Sequence, residues 1–157
     1  MKILDAVKAA EKSRDVKELL QDGYFLNSGM AFLEPLDKDA GKWTLTFYHS
    51  GKNAVVQAEV DGETVNLGEK GTPMHPTKER LDLRELKTSS AKMLEKARAD
   101  FKKYKQPISQ ILISIQMEGG KPTWRVNFVT TLLYLITVKL DAKKGNILSS
   151  EMHSLAK

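Results

Sequence analysis

The chain has 157 residues, 41% of them hydrophobic, enough to bury a real core as one domain or as two small halves sharing one. It has no cysteine, which excludes disulfides, thiolate zinc sites and cysteine nucleophiles. The formal net charge of +5 is concentrated: residues 78–105 hold ten basic side chains against five acidic ones, so an electrostatic partner surface, if present, belongs there.

Ile3, Ala6, Val7 and Ala10 recur at three and four and predict an amphipathic helix. Asp5, Lys8 and Glu11 interrupt any apolar leader. The longest apolar run, residues 132–136, is far below the roughly 20 residues that a membrane span needs. The expectation is a cytoplasmic protein with no membrane partner, or a secreted one where a leader has been removed.

A second short helix follows, capped by Ser13 and stopped at Gly23, with Val16, Leu19 and Leu20 inward. Residues 24–29 read as a connector and residues 30–36 as a first strand, limited by Pro35. Trp43, Leu45 and Phe47 then alternate with Thr44, Thr46 and Tyr48 along a half-buried strand. A turn at residues 50–53 leads to a strand with Val56, Ala58 and Val60 on one face. Asp61-Gly62 turns it into a further strand at residues 64–67. Residues 68–77 hold two glycines and two prolines and read as a linker.

Residues 81–86 are expected to be helical. Ser89 or Ser90 caps a longer helix whose inner stripe is Leu94, Ala97, Phe101 and Tyr104, ended by Pro107. Ile111, Ile113 and Ile115 alternate in the next strand, and a Gly119-Gly120 turn leads into a second tryptophan strand with Trp124, Val126 and Phe128 on one face. Residues 132–136 are apolar on both faces, which predicts a central or covered position. Ile136, Val138 and Leu140 alternate up to a turn at Asp141 and Gly145. Ile147 and Leu148 start a last strand, and the tail from Ser149 is polar.

Trp43, Leu45 and Phe47 align with Trp124, Val126 and Phe128 at one offset; after a one-residue slip, Val56, Ala58, Val60 and Asp61 align with Ile136, Val138, Leu140 and Asp141. The chain's two tryptophans occupy the same place in each copy. The fold expected is therefore α+β, two helix-plus-antiparallel-sheet units related by internal duplication: residues 1–67, a linker at 68–77, and residues 78–157, which can pack as one domain.

The second unit resembles a PepSY-type domain. Trp124 and Val126 open a strand, and Asp141, Gly145 and Ile147 form the later aspartate and glycine turn. The resemblance covers most of residues 89–148 and, more weakly, 13–66. It implies a helix before a small antiparallel sheet and a non-catalytic role, since such domains are associated with protease propeptides and with inhibition or regulation of peptidases. The sequence predicts no signal peptide, adjoining protease or membrane anchor beside it, a departure from the setting of those domains.

No nucleophile elbow, phosphate loop or dinucleotide fingerprint is present, and His49, His75 and His153 lack metal-ligand spacing, so neither metal nor cofactor is expected. Asp61 and Asp141 read as turn residues and the tryptophans as core. The expected function is a binding or regulatory module for a protein or peptide, which a sheet edge or a helix–sheet groove accepts as an added strand. The alternative is a nucleic-acid-associated protein using the helix of residues 89–105, with Lys92, Lys96, Arg98, Lys102, Lys103 and Lys105 on phosphates. Glu95 and Asp100 interleave with these cations. Lys92, Lys96 and Lys103 are the candidate partner surface.

Overall fold

The computed structural model describes residues 1–73 and 78–156. His75 and the last four residues of the expected linker, 74–77, lie outside the described residues. Within them the chain is α+β: helices α1 (Ile3–Lys12), α2 (Arg14–Gln21) and α3 (Ser90–Phe101), and strands β1 (Phe25–Leu33), β2 (Trp43–His49), β3 (Ala54–Asp61), β4 (Thr64–Leu67), β5 (Ile108–Glu118), β6 (Lys121–Thr130), β7 (Tyr134–Asp141) and β8 (Ile147–Ser154). The strands form one antiparallel sheet in the order β4-β3-β2-β1-β5-β6-β7-β8.

That order reads the same outward from the central β1–β5 pair. Each side is a meander of hairpins preceded by helix, and α1 lies against β2, β3 and β4 while α3 lies against β6 and β7. Residues paired across an antiparallel ladder share a face. One row is therefore Ala58, Leu45, Gly29, Ile115, Trp124 and Leu140. All but Gly29 belong to a single apolar cluster, joined by Ile3, Ala6 and Ala10 of α1 and by Met93, Leu94, Ala97 and Phe101 of α3. The opposite face carries rows such as Glu59, Thr44, Met30, Ser114, Arg125 and Lys139.

The two tryptophan hairpins have matching registers. Trp43 pairs with Val60, Leu45 with Ala58 and Phe47 with Val56; Trp124 pairs with Leu140, Val126 with Val138 and Phe128 with Ile136. The one-residue slip seen in sequence falls in the intervening turns. Both indoles are fully buried, with ring centroids 6.1 Å apart. Each indole N–H donates to the residue two before its own helix: Trp43 Nε1 to Met1 O at 2.9 Å and Trp124 Nε1 to Thr88 Oγ1 at 2.8 Å.

Three expectations need correction. The connector at residues 24–29 is the first half of β1, a central strand with small polar residues, and the strand stops at Leu33. Its Gly29 is there because α1 packs close: a Cβ would come within 2.6 Å of Ile3 Cδ1. Residues 81–86 form no helix. They are extended with a turn, held by Leu81 N–H to Leu26 O at 2.8 Å, and Leu81 is buried with Leu83 and Leu86 against the core.

Residues 132–136 are not central. Leu132 and Leu133 form the exposed β6–β7 turn, and inward alternation starts at Tyr134. The polar tail from Ser149 continues β8 to Ser154 along β7. The described part of residues 68–77 adds one antiparallel bridge, Gly71 to Val55.

Candidate binding edge

β8 is one of the two edges of the sheet, and the other is the four-residue β4. The turn before β8 is built locally. The Asp141 carboxylate accepts the backbone N–H groups of Lys143 at 2.8 Å and Lys144 at 2.9 Å, which hold it below the ordinary carboxylate pKa, the Lys144 bond contributing most. Gly145 sits at φ +79, where a Cβ would crowd Met93 and Thr88. Asp141 is thus the turn residue that the sequence suggests.

A register shift between Lys139 and Leu140 bulges the start of β8, and from Ser149 to Ser154 the pairing is regular. The Leu155 N–H donates to Leu133 O at 2.7 Å, continuing the same register. Antiparallel ladders alternate bonded and non-bonded pairs. Glu151 and His153, in phase with Leu155, therefore turn their backbone groups toward β7, and Ser150, Met152 and Ser154 turn theirs outward. The regular stretch contains neither lysine nor proline, two of the residues that blunt natural sheet edges, and Glu151 is its one acidic side chain.

On the helix side of β8, Ser150 Oγ donates to Asp100 Oδ2 at 2.6 Å and, its proton being committed there, accepts from Tyr104 O–H at 2.6 Å. Lys103 Nζ lies 3.1 Å from Asp100 Oδ1. This chain of bonds ties the end of α3, and the 3-10 turn Lys102–Tyr104 after it, to the edge strand.

The three candidate lysines do not converge. All are exposed, but Lys92 stands in the first turn of α3, where its backbone N–H caps onto Ser89 Oγ at 3.3 Å. Lys96 Nζ donates to Gly145 O at 2.7 Å and braces the β7–β8 turn. Lys103 alone flanks the β8 edge. Eleven residues of helix put Lys92 and Lys103 about 16 Å apart. Arg98 also turns inward, to Asp37 O.

His49 is engaged in folding: its Nδ1 accepts Lys52 N–H at 3.0 Å, so Nε2 carries the proton toward Asp22 O at 2.9 Å. His153 Nε2 lies 3.2 Å from its neighbour Glu151.

Sequence reasoning missed two features. One is the length of β8, whose start at Ile147 the sequence indicates but whose run to Ser154 it does not, since a half-exposed edge strand loses the apolar alternation that betrays inner strands; the uninterrupted absence of Gly and Pro after Ile147 was the available signal. The other is an ion cluster on the open face, where Glu118 accepts from Arg125 Nε at 2.7 Å and Lys139 Nζ at 3.1 Å. The Arg125 bond, helped by Lys139, lowers the Glu118 pKa to about 2.

Three helices beside one eight-stranded antiparallel sheet define an α+β protein. Among solved structures, the chain is similar to a candidate lipoprotein from Clostridium difficile 630, with a TM-score of 0.57 and 16% identity over 88% of this chain and 89% of that one. At that identity the likeness concerns the fold alone. No family model matches the chain, and no curated protein matches it.

Proposed function

We propose that this chain is a non-catalytic, PepSY-like binding module made of two related helix-plus-sheet units, and that its β8 edge takes up an extended segment of a protein partner as a ninth strand. The observation that carries this reading is the β8 edge, unpaired among the described residues, with outward backbone groups at Ser150, Met152 and Ser154 and neither lysine nor proline along residues 149–154. Main-chain bonds supply the attraction. Met152, on the helix side, and Glu151 and His153, on the open side, select the partner's side chains, with Lys103 at the flank.

The relatedness of the units, residues 1–67 and 78–157, rests on the matched hairpin registers and on the two indole bonds to the residue two before each helix. The alternative, nucleic acid on α3, is weakened because Lys96, Arg98 and Lys103 are engaged within the molecule. The fold shared with a candidate lipoprotein favours action at a cell surface over the cytoplasmic expectation.

The test is selection of a random-peptide phage library on the protein, with counter-selection on Met152→Pro. Proline removes an outward N–H that β7 does not use, so the variant keeps its fold. Enriched peptides with alternating apolar residues that bind the protein and not the variant are the expected result. Equal binding to both excludes the edge as the site.

A further inference from the structure

The end of the sheet where β6 turns into β7 carries leucines where turn residues belong. Leu132 is 62% exposed and Leu133 54% exposed, and Leu133 holds φ +64, a backbone conformation suited to Gly or Asn. Two more leucines, Leu155 and Leu36, lie at the same end. The Leu155 N–H is bonded to Leu133 O, and Thr131 N–H reaches Pro107 O at 3.1 Å, which joins the turn to the loop after the 3-10 turn. Beside that loop Leu36, 91% exposed, lines a shallow recess of about 510 Å³ with Lys102 and Lys105. None of the four leucines belongs to the core cluster or packs against it.

Exposed apolar side chains concentrated at one end of a molecule mark an interaction site. These protrude from three separate connections, the β1–β2 segment, the β6–β7 turn and the C-terminal tail, which suits a medium that parts around them. The charges suit an anionic one. Lys102 and Lys105 line the recess with Leu36 and make no ion pair among the described residues, whereas Lys103 is already paired with Asp100.

We propose that this end of the sheet docks on an anionic lipid bilayer, the leucines entering the boundary between headgroups and acyl chains and the lysines meeting lipid phosphates. No helix among the described residues is long and apolar enough to cross a membrane. The expectation of no membrane partner rested on that spanning criterion, and surface docking does not require it.

The experiment is co-sedimentation with vesicles of equimolar phosphatidylcholine and phosphatidylglycerol, and with phosphatidylcholine alone. The protein is expected to pellet with the anionic vesicles and to be released by salt. Leu132→Ser with Leu133→Asn is expected to lower binding roughly tenfold or more. Because Asn suits the backbone at 133, thermal unfolding should show the double variant at least as stable as the parent, which separates lost docking from lost folding. Lys102→Glu with Lys105→Glu should abolish the preference for anionic lipid. Met152→Pro should bind vesicles unchanged, so this proposal and the strand-addition reading fail separately. Absence of vesicle binding at low salt, or undiminished binding by the leucine variant, overturns the proposal.

Discussion

A buried indole must place one N–H, and the two tryptophans place it differently. Trp43 donates to the Met1 carbonyl, which no side-chain substitution removes, whereas Trp124 depends on the hydroxyl of Thr88, whose own proton goes to Ala142 O at 2.6 Å. Thr88→Val therefore strands two buried polar groups and is expected to cost about 1–3 kcal/mol, read from urea unfolding. At Gly29 the constraint is steric. Gly29→Ala should destabilise by about 1 kcal/mol or more through its contact with Ile3 Cδ1, and Ile3→Val, which deletes that atom, should recover part of the loss in a double-mutant cycle.

Glu118 gives a pH-dependent term. Its folded pKa of about 2 lies below the ordinary 4.5, so the stabilisation is complete above pH 4.5 and fades as the pH falls toward 2. The cluster is partly solvated, so its worth is about 1 kcal/mol. Glu118→Gln should therefore be less stable than the parent at neutral pH by that amount, and the gap should close in acid.

At the scale of elements, what was legible in the sequence follows burial. The tryptophan strands, β3, β5 and α3 each show one apolar face, and that periodicity located them. β1 hid because Gly29 answers the close approach of α1 and Asn27 donates to Glu79 O at 3.1 Å, long-range causes that no local pattern contains. β8 showed only its start at Ile147, because its edge position leaves both faces largely wet.

Residues 132–136 misled for the opposite reason, since their hydrophobicity reads as burial although two leucines stand in water. The candidate lysines were legible as charge, but not the bonds that engage Lys96 and Lys103. The β6–β7 turn carries its own strain. Leu133→Asn alone should raise stability by about 1 kcal/mol by relieving the left-handed leucine, and an unchanged or lowered melting temperature would refute that account of the turn.

For the molecule as a whole, the central β1–β5 pair and the Trp43–Trp124 contact join the flanking meanders into one sheet over one core. Trp43→Phe and Trp124→Phe each leave one fluorescent reporter, one per half. Their denaturant transitions, referred to each variant's own circular dichroism curve, are expected to coincide; a reporter that moves ahead of the global signal would mean that the halves unfold separately. The functional account rests on the free side of β8, and amide hydrogen exchange with and without a selected peptide tests it most directly. The account expects Glu151, His153 and Leu155 to be protected throughout, with Ser150, Met152 and Ser154 exchanging freely alone and slowing when the peptide is bound. Protection of those three amides in the free protein, or unchanged exchange on saturation, would contradict it.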